Sequence, residues 1–402
     1  VGRVMFSLRT LPALVTIAVL SFIAASWGAG KPARRKELAP SEMADSNQTA
    51  AKTTSCQLYV SPMGSDTNAG TLSAPWRTVQ HAFNYAQPGE RICLRGGSYP
   101  MSRSTGYSQS LTRSGTSTSR ITFTNYPGEV AIIEGSTRVD AAFVTFQGSP
   151  AAAPGLIFSG PGATNMDLVD IMHSHDVTFD HVEIRRGAYH AGLYQYGGYN
   201  IRVTGCYIHD NGRPSYINTD QGIYWDATAG TGNLIANNVI AHNVAMGVQL
   251  YPAPAGVVVE ENTIVDNGNY GIVVYGSLHK IVNNILSNNG NSAINPQMRI
   301  DLLAAGLTID SNLFWNDAWS LRGYINPIGL PVVNAPVGNP LFADPVHRNY
   351  HLKAGSPAAG AGNALYTQPT DKDGIVRHLP PDLGAYTLTS PTTAGAIHSK
   401  IH

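Results

Sequence analysis

Between Val177 and Asp317 apolar and polar residues alternate in short runs, and the runs repeat. Aligned, they read VTFDHVEIRRG, IRVTGCYIHDN, LIANNVIAHN, VVVEENTIVDN, KIVNNILSNN and LTIDSNLFWND. A second run follows the earlier lines: GLYQY, GIYWD, GVQLY, GIVVY and SAINP. The alternation has the period of two of a β-strand, and many of the apolar residues are β-branched. A unit of roughly 22 to 33 residues cannot bury its apolar face alone, so copies must stack. The pattern predicts an all-β chain folded as a parallel β-helix, a solenoid of three short strands per rung with rungs about 4.8 Å apart. Val257, Val259, Ile264, Ile272 and Val274 are expected to point inward, and Glu260, Thr263, Val265, Val273 and Tyr275 outward. Asn238, Asn262, Asn284 and Asn312 fall at one bend. They predict an internal ladder in which each amide bonds to the rungs above and below.

Stacking also predicts a surface. The outward positions of the second runs are Tyr194 and Tyr196, Tyr224 and Asp226, Gln249 and Tyr251, Val273 and Tyr275, then Asn295 and Gln297; LVDIM adds Asp170 and Met172 one rung earlier. Tyrosine is a flat apolar body with a polar tip, suited to lie against a sugar ring. Asp170, Tyr194, Tyr196, Tyr224, Gln249, Tyr251 and Tyr275 are therefore the candidate glycan-binding residues. Tyrosine also simply favours strands, which is the structural alternative.

Composition narrows the partners. The net charge is zero and 13% of residues are charged, which argues against nucleic acid or a polybasic membrane surface. Arg3 and Arg9 precede an apolar run from Leu11 to Ala25 followed by small residues, the pattern of a secretory signal over 1–30; the alternative is an uncleaved membrane anchor, for which the run is short of the ~20 residues a span needs. Residues 31–55 read as a disordered linker. The expected product is a secreted protein, free of the membrane after signal cleavage, and monomeric because a capped solenoid needs no partner. Cys56 and Cys93 sit on two expected strands, where pairing is open to them but not fixed by the sequence, whereas Cys206 aligns with the asparagine column as a buried free thiol.

Residues 56–120 form the expected entry and cap. Val79, Ala82, Phe83 and Ala86 share one face of a short helix over about 78–86, which would cover the open apolar end. Tyr59-Val60-Ser61-Pro62, Gly64-Ser65-Asp66, Gly70-Thr71, Pro75-Trp76, Thr78, Pro88-Gly89 and Gly96-Gly97-Ser98-Tyr99 resemble the N-terminal entry of secreted right-handed β-helix proteins of the pectate-lyase-like superfamily. The resemblance implies a right-handed parallel β-helix with an N-terminal capping helix, with rungs over 121–320. It does not fix a reaction, because that superfamily includes lyases, hydrolases and epimerases. Asn339-Pro340-Leu341-Phe342, Asp344-Pro345, Gly355-Ser356-Pro357-Ala358 and Pro381-Asp382-Leu383-Gly384-Ala385-Tyr386 resemble the module that follows many bacterial secreted β-helices. It implies a capping unit over 321–388 that closes the far end, with a tail at 389–402.

Titratable residues are densest between Asp167 and Asp226. Aligning the rungs puts Arg186, Asp210, His242 and Asp266 in one column at the bend before the tyrosine run, with Arg185 and His209 just ahead of it. The longest rung carries its extra residues, Arg213 to Gln221, in that bend, where insertions commonly build sites. A polyuronate lyase needs a cation to neutralise the carboxylate, a base for the α-proton and a donor for the leaving oxygen. Arg185, Arg186 and Arg213 are candidates for the first; His190, His209 and His242 for the second. Asp176 and Asp180, and also Asp210, are candidate oxygen ligands for Ca²⁺. A glycosidase needs two carboxyl groups flanking the bond, with Asp170, Asp210, Asp220 and Asp226 as candidates. Each Asp also has a plain alternative role, bonding turn backbone. Three readings follow: a lyase on an acidic polysaccharide, which requires a basic groove near Arg185, Arg186 and Arg213; a glycoside hydrolase on the same face; or a glycan-binding protein without catalysis.

Overall fold

The computed structural model describes residues 55–389, apart from 102–105, 151–154, 161–164, 228–229, 291–296, 317–323 and 326–328. The expected signal sequence, most of the linker, nearly all of the tail and Asn295 lie outside the described residues. The described chain is a stack of parallel rungs. Each rung contributes one strand to each of three sheets, here A, B and C; one rung runs Tyr199–Thr204, Tyr207–His209 and Gln221–Trp225. Sheet A has eleven strands, and sheets B and C nine each. Neighbouring rungs pair in parallel and in register, as in Val203↔Ile235, Ile208↔Ile240 and Ile223↔Val248.

The corners explain the register. From A to B the chain turns on a left-handed residue: His181, Asn237, Glu261, Asn283 and Ser311 have φ of 52°, 57°, 54°, 59° and 51°. From B to C it turns on Arg186, Asp210, His242, Asp266 and Asn288, with φ between 54° and 58°. The shared column of Arg186, Asp210, His242 and Asp266 is thus a column of tight turns, a conformation that Asn and Asp tolerate best.

The residue after each turn points inward and must satisfy its polar atoms there. Asn238 Nδ2 donates to Asn262 Oδ1, Asn262 to Asn284 and Asn284 to Asn312, each at 2.9 Å. Cys206 sits above this ladder, buried and unpaired as a disulfide, and its N–H donates to Asn238 Oδ1 at 2.8 Å. A second ladder, which the repeats had not suggested, follows the other corner: Asn211, Asn243, Asn267 and Asn289, ending on Gln297 Oε1 at 2.8 Å.

Apolar side chains fill the interior. Near the N-terminus Phe123, Phe146 and Phe179 stack with centroids 5.5 and 4.8 Å apart. The helix Val79–Tyr85, capped by Thr78, lays Phe83 against Phe123 at 4.9 Å. A disulfide joins Cys56 and Cys93. The expected inward residues Val257, Val259, Ile264, Ile272 and Val274 are fully buried.

Three expectations change. Regular strands begin at Leu58–Val60 and continue to Val332–Val333, on both sides of the 121–320 estimate. The C-terminal segment lies along the flank of the stack: Phe342, Tyr350, Leu352, Ala358, Leu383 and Ala385 pack on Val239, Ala241, Val265, Ile285 and Leu313 of sheet B. Thr263 and Val265 therefore point out of the sheet yet are buried, and Glu260 is covered by the same segment, through Gln368.

Candidate functional site: the outer face of sheet C

Strand alternation places two outward positions per rung on sheet C. Paired register aligns Ser110, Arg138, Asp170, Tyr194, Tyr224, Gln249, Val273 and Arg299 in one column. Two residues on, the same register aligns Asp140, Met172, Tyr196, Asp226, Tyr251, Tyr275 and Asp301. The face thus gathers Asp170, Tyr194, Tyr196, Tyr224, Asp226, Gln249, Tyr251 and Tyr275 as the repeats implied. The rung after Tyr275 differs. Its strand is Met298–Ile300, so Arg299 and Asp301 take the outward places, while Gln297 is buried at the end of the second ladder.

The tyrosines form a continuous strip. Tyr194 and Tyr224 lie 5.2 Å apart, Tyr224 and Tyr251 6.4 Å, and Tyr251 and Tyr275 4.8 Å edge to face. Tyr194 donates its hydroxyl to Asp226 Oδ2 at 2.8 Å. Burial, with Asp226 nearby, pushes the Tyr194 and Tyr224 phenols well above their ordinary range, so both stay protonated. Gln249 accepts from the Gln221 amide.

His190 borders the strip. Its ring meets Tyr224 edge to face at 4.8 Å, and its Nδ1 lies 3.4 Å from Asp167 Oδ1. Asp167 is itself fixed by the Ala191 N–H at 2.5 Å. Next along the stack, Asp170 accepts from the Tyr107 hydroxyl, and the Arg138 guanidinium lies 5.6 Å above the Tyr107 ring. Asp170 is 4% exposed, and its Oδ1 has no hydrogen-bond partner. Burial pushes its carboxyl up to about 6, although the Tyr107 hydrogen bond pulls the other way. Tyr107 comes from an irregular stretch with no periodic signal. Arg138 and Asp140 were legible only by extending the register back two rungs.

The remaining candidates do not join this face. Arg185 and His209 project from sheet B: Arg185 pairs with Glu183 at 2.7 Å, and His209 bridges Glu183 at 3.0 Å and Asp210 at 2.6 Å. Arg348 from the C-terminal segment grips Asp210 through two nitrogens at 2.7 and 3.0 Å. Burial opposes ionisation of Asp210, but His209 and Arg348 outweigh it and hold the carboxyl far below its usual range. Burial lowers His209 in turn, and its two carboxylate neighbours more than reverse that. His242 meets Tyr350 of the same segment at 2.9 Å. This cluster fastens the C-terminal segment.

Arg213 and Asp220 form a clamp in the long loop. Arg213 donates to both Asp220 oxygens at 2.7 Å and lies 3.6 Å from the Tyr216 centroid and 4.6 Å from Tyr189. Asp220 is fully buried. Arg186 is exposed at its corner. Asp176 and Asp180 lie on sheet A. Asp176 is occupied by His175 and Asn200, and Asp180 by His181, Thr204 and Gln147. Their oxygens serve the protein's own donors, so this pair does not fit a Ca²⁺ site. Among the described residues no three carboxylate, histidine or cysteine side chains are arranged to hold a metal ion.

Comparison with known proteins bears on this architecture. A family model described as the Pel9A-like right-handed beta helix region matches residues 58–280, more than half of the chain. Pectate lyase PEL9 of Emericella nidulans is 41% identical over 78 residues, which is 19% of this chain and 18% of that protein. The uncharacterized protein YwoF of Bacillus subtilis is 39% identical over 88 residues, 22% of this chain and 18% of its own length. The chain thus spans under a fifth of the curated relatives it matches. The crystal structure of pectate lyase Pel9A superposes with a TM-score of 0.60 at 17% identity, covering 84% of this chain and 98% of that one.

Proposed function

Because the chain belongs to the Pel9A-like right-handed β-helix family, we propose that it is a polysaccharide lyase cleaving a uronate-containing, acidic glycan by β-elimination on the outer face of sheet C. One observation carries this reading: His190 stands at the edge of a tyrosine strip, oriented by Asp167 through Nδ1 and packed on Tyr224. Its Nε2 makes no hydrogen bond to any described residue, and imidazole is suited to proton removal near neutral pH. In the proposed step Nε2 takes the proton from the carbon next to the uronate carboxyl. The C–H electron pair forms the new carbon–carbon double bond, the bond to the leaving sugar oxygen breaks, and that oxygen takes a proton from the Tyr224 hydroxyl. Tyr194, Tyr251 and Tyr275 offer ring faces along the chain direction, and Asp226 fixes the Tyr194 hydroxyl. The export pattern and the Cys56–Cys93 disulfide support action outside the cell. Among the described residues no helix is long and apolar enough to cross a membrane.

The test is ultraviolet absorbance of the unsaturated uronate product on pectate, alginate and glycosaminoglycans, with reducing ends measured in the same tubes. The expected result is rising absorbance that His190→Ala abolishes and Tyr224→Phe strongly reduces, with folding retained. A second reading rests on Asp170, whose raised carboxyl pKa suits a glycosidase acid, with Asp226 as the second carboxyl. Reducing ends without absorbance would establish it in place of elimination.

A further inference from the structure

The charge on the sheet C face does not suit a polyanion. Its two outward columns carry two guanidinium groups, Arg138 and Arg299, against four carboxyl groups, Asp140, Asp170, Asp226 and Asp301. Each arginine is committed to a carboxylate on its own strand: Arg138 to Asp140 at 3.0 Å and Arg299 to Asp301 at 3.7 Å. Beside the strip, Arg213 is held by the fully buried Asp220 and sandwiched between two tyrosines. Arg185 faces the other way, from sheet B. The described lysines are also elsewhere: Lys280 begins a sheet A strand, and Lys353 and Lys372 belong to the C-terminal segment. Among the described residues, the basic groove that a free polyuronate would require near Arg185, Arg186 and Arg213 is therefore not built. Of Arg185, Arg186 and Arg213, Arg186 alone, exposed at its corner, makes no ion pair with a described residue. A free carboxylate laid along this face would meet like charge in a partly desolvated setting.

The rim is apolar. Tyr216 and Ile217 on the clamped loop are 49% and 54% exposed, and Tyr251 on the strip 39%. The clamp holds this loop against Tyr189, next to His190. Exposed apolar side chains beside a site are a cost in water unless they meet an apolar group.

We infer that the uronic acid unit at the cleavage point is bound as a neutral ester, with its alkyl group against Tyr216 and Ile217, and not as a free carboxylate. This rests on the lyase reading above and names its substrate class. The chemistry agrees with the arrangement. Removing a proton beside a carboxylate builds a second negative charge that cations must neutralise. Beside an ester it builds only one, which the carbonyl delocalises. The ester is unchanged in the product: His190 takes the proton, the double bond forms, and the leaving oxygen departs with the Tyr224 proton.

The experiment compares methyl-esterified pectin with the same polymer after de-esterification, each with added Ca²⁺ and with EDTA. Binding of short esterified and free-acid oligosaccharides to His190→Ala is measured by calorimetry alongside. The expected result is cleavage of the esterified polymer about tenfold faster or more, unaffected by EDTA and nearly independent of salt. Ile217→Asp should erase that preference, whereas Arg186→Ala should leave it intact. Faster cleavage of the de-esterified polymer, with or without Ca²⁺, would overturn the inference, as would loss of free-acid cleavage in Arg186→Ala. If neither polymer is cleaved but the esterified oligosaccharide binds preferentially, the lyase reading fails while the preference for esters stands. Equal or absent binding in that case would overturn both.

Discussion

Replacing Asn262 with alanine should show what the internal ladders are worth. The side chain is fully buried. Its Oδ1 accepts from the Asn238 N–H at 3.0 Å and from Asn238 Nδ2 at 2.9 Å, and its Nδ2 donates to Ile235 O at 2.9 Å and to Asn284 Oδ1 at 2.9 Å. Truncation strands two donors on Asn238 in a dry interior, at about 1–3 kcal/mol each. The expected loss is therefore about 2–6 kcal/mol, a large share of the ~5–15 kcal/mol typical of a folded protein. Asn316 is the control: it makes one amide bond, to Asn288 Oδ1 at 2.6 Å, at an exposed position with φ of 57°, and Asn316→Ala should cost only about 1 kcal/mol, from placing alanine in a left-handed conformation. Stability in a stacked array is nearly a sum of rung and interface contributions. Hydrogen exchange over residues 234–241 is thus the sharper readout, with guanidinium denaturation beside it. A loss under about 1 kcal/mol, with the Asn238 amide still protected, would show that the ladder is not holding this corner.

Four other outcomes follow. The folded Asp170 keeps its proton up to about pH 6, where the unfolded chain has already lost it; stability should therefore fall as pH rises from about 4 to 6. Asp170→Asn should flatten that fall when midpoints are measured across the range. His209 is raised in the folded state, so its contribution is complete below its unfolded pKa of about 6.5 and fades as pH rises through the folded value. The His209→Gln midpoint should lack this alkaline decline. Opening the Cys56–Cys93 disulfide, which spans 37 residues, should cost about 3–4 kcal/mol by loop entropy, read as a lower melting temperature in Cys56→Ser/Cys93→Ser. Arg213→Ala should make the 213–221 backbone more susceptible to proteolysis and raise KM for glycan before it lowers kcat, because its guanidinium holds the loop through Asp220.

Much of this was legible in the letters, for a physical reason. A strand turns its side chains alternately, so a repeated line of text becomes a repeated column in space, and the tyrosine strip and first asparagine ladder follow from it. The second ladder was as regular, in Asn211, Asn243, Asn267 and Asn289, but these residues close each line and read as turn formers. In the rung after Tyr275 the short run SAINP precedes MRI in the letters, so reading it as the strand sets the outward residues four positions too early. The titratable cluster misled for a different reason. Arg185, His209 and Asp210 are close in sequence to His190 and Arg213, yet a corner intervenes, and residues across a corner face different sheets. Tyr107 belongs to no repeat, and only folding brings it to Asp170.

The segment laid along sheet B changes how the stack should come apart. Contacts between rungs span only about one rung of sequence, so a bare array frays from its end one rung at a time. Here Arg348 reaches back 138 residues to Asp210, and His181 meets the Lys372 carbonyl across 191. Those closures come late in folding, since long loops must be shut before their contacts repay the entropy. Once made, they act as a buckle: the last rungs cannot peel away until the strap has released rungs far upstream. The C-terminal half should therefore unfold as one cooperative block, with a slow release step that a simple solenoid would lack.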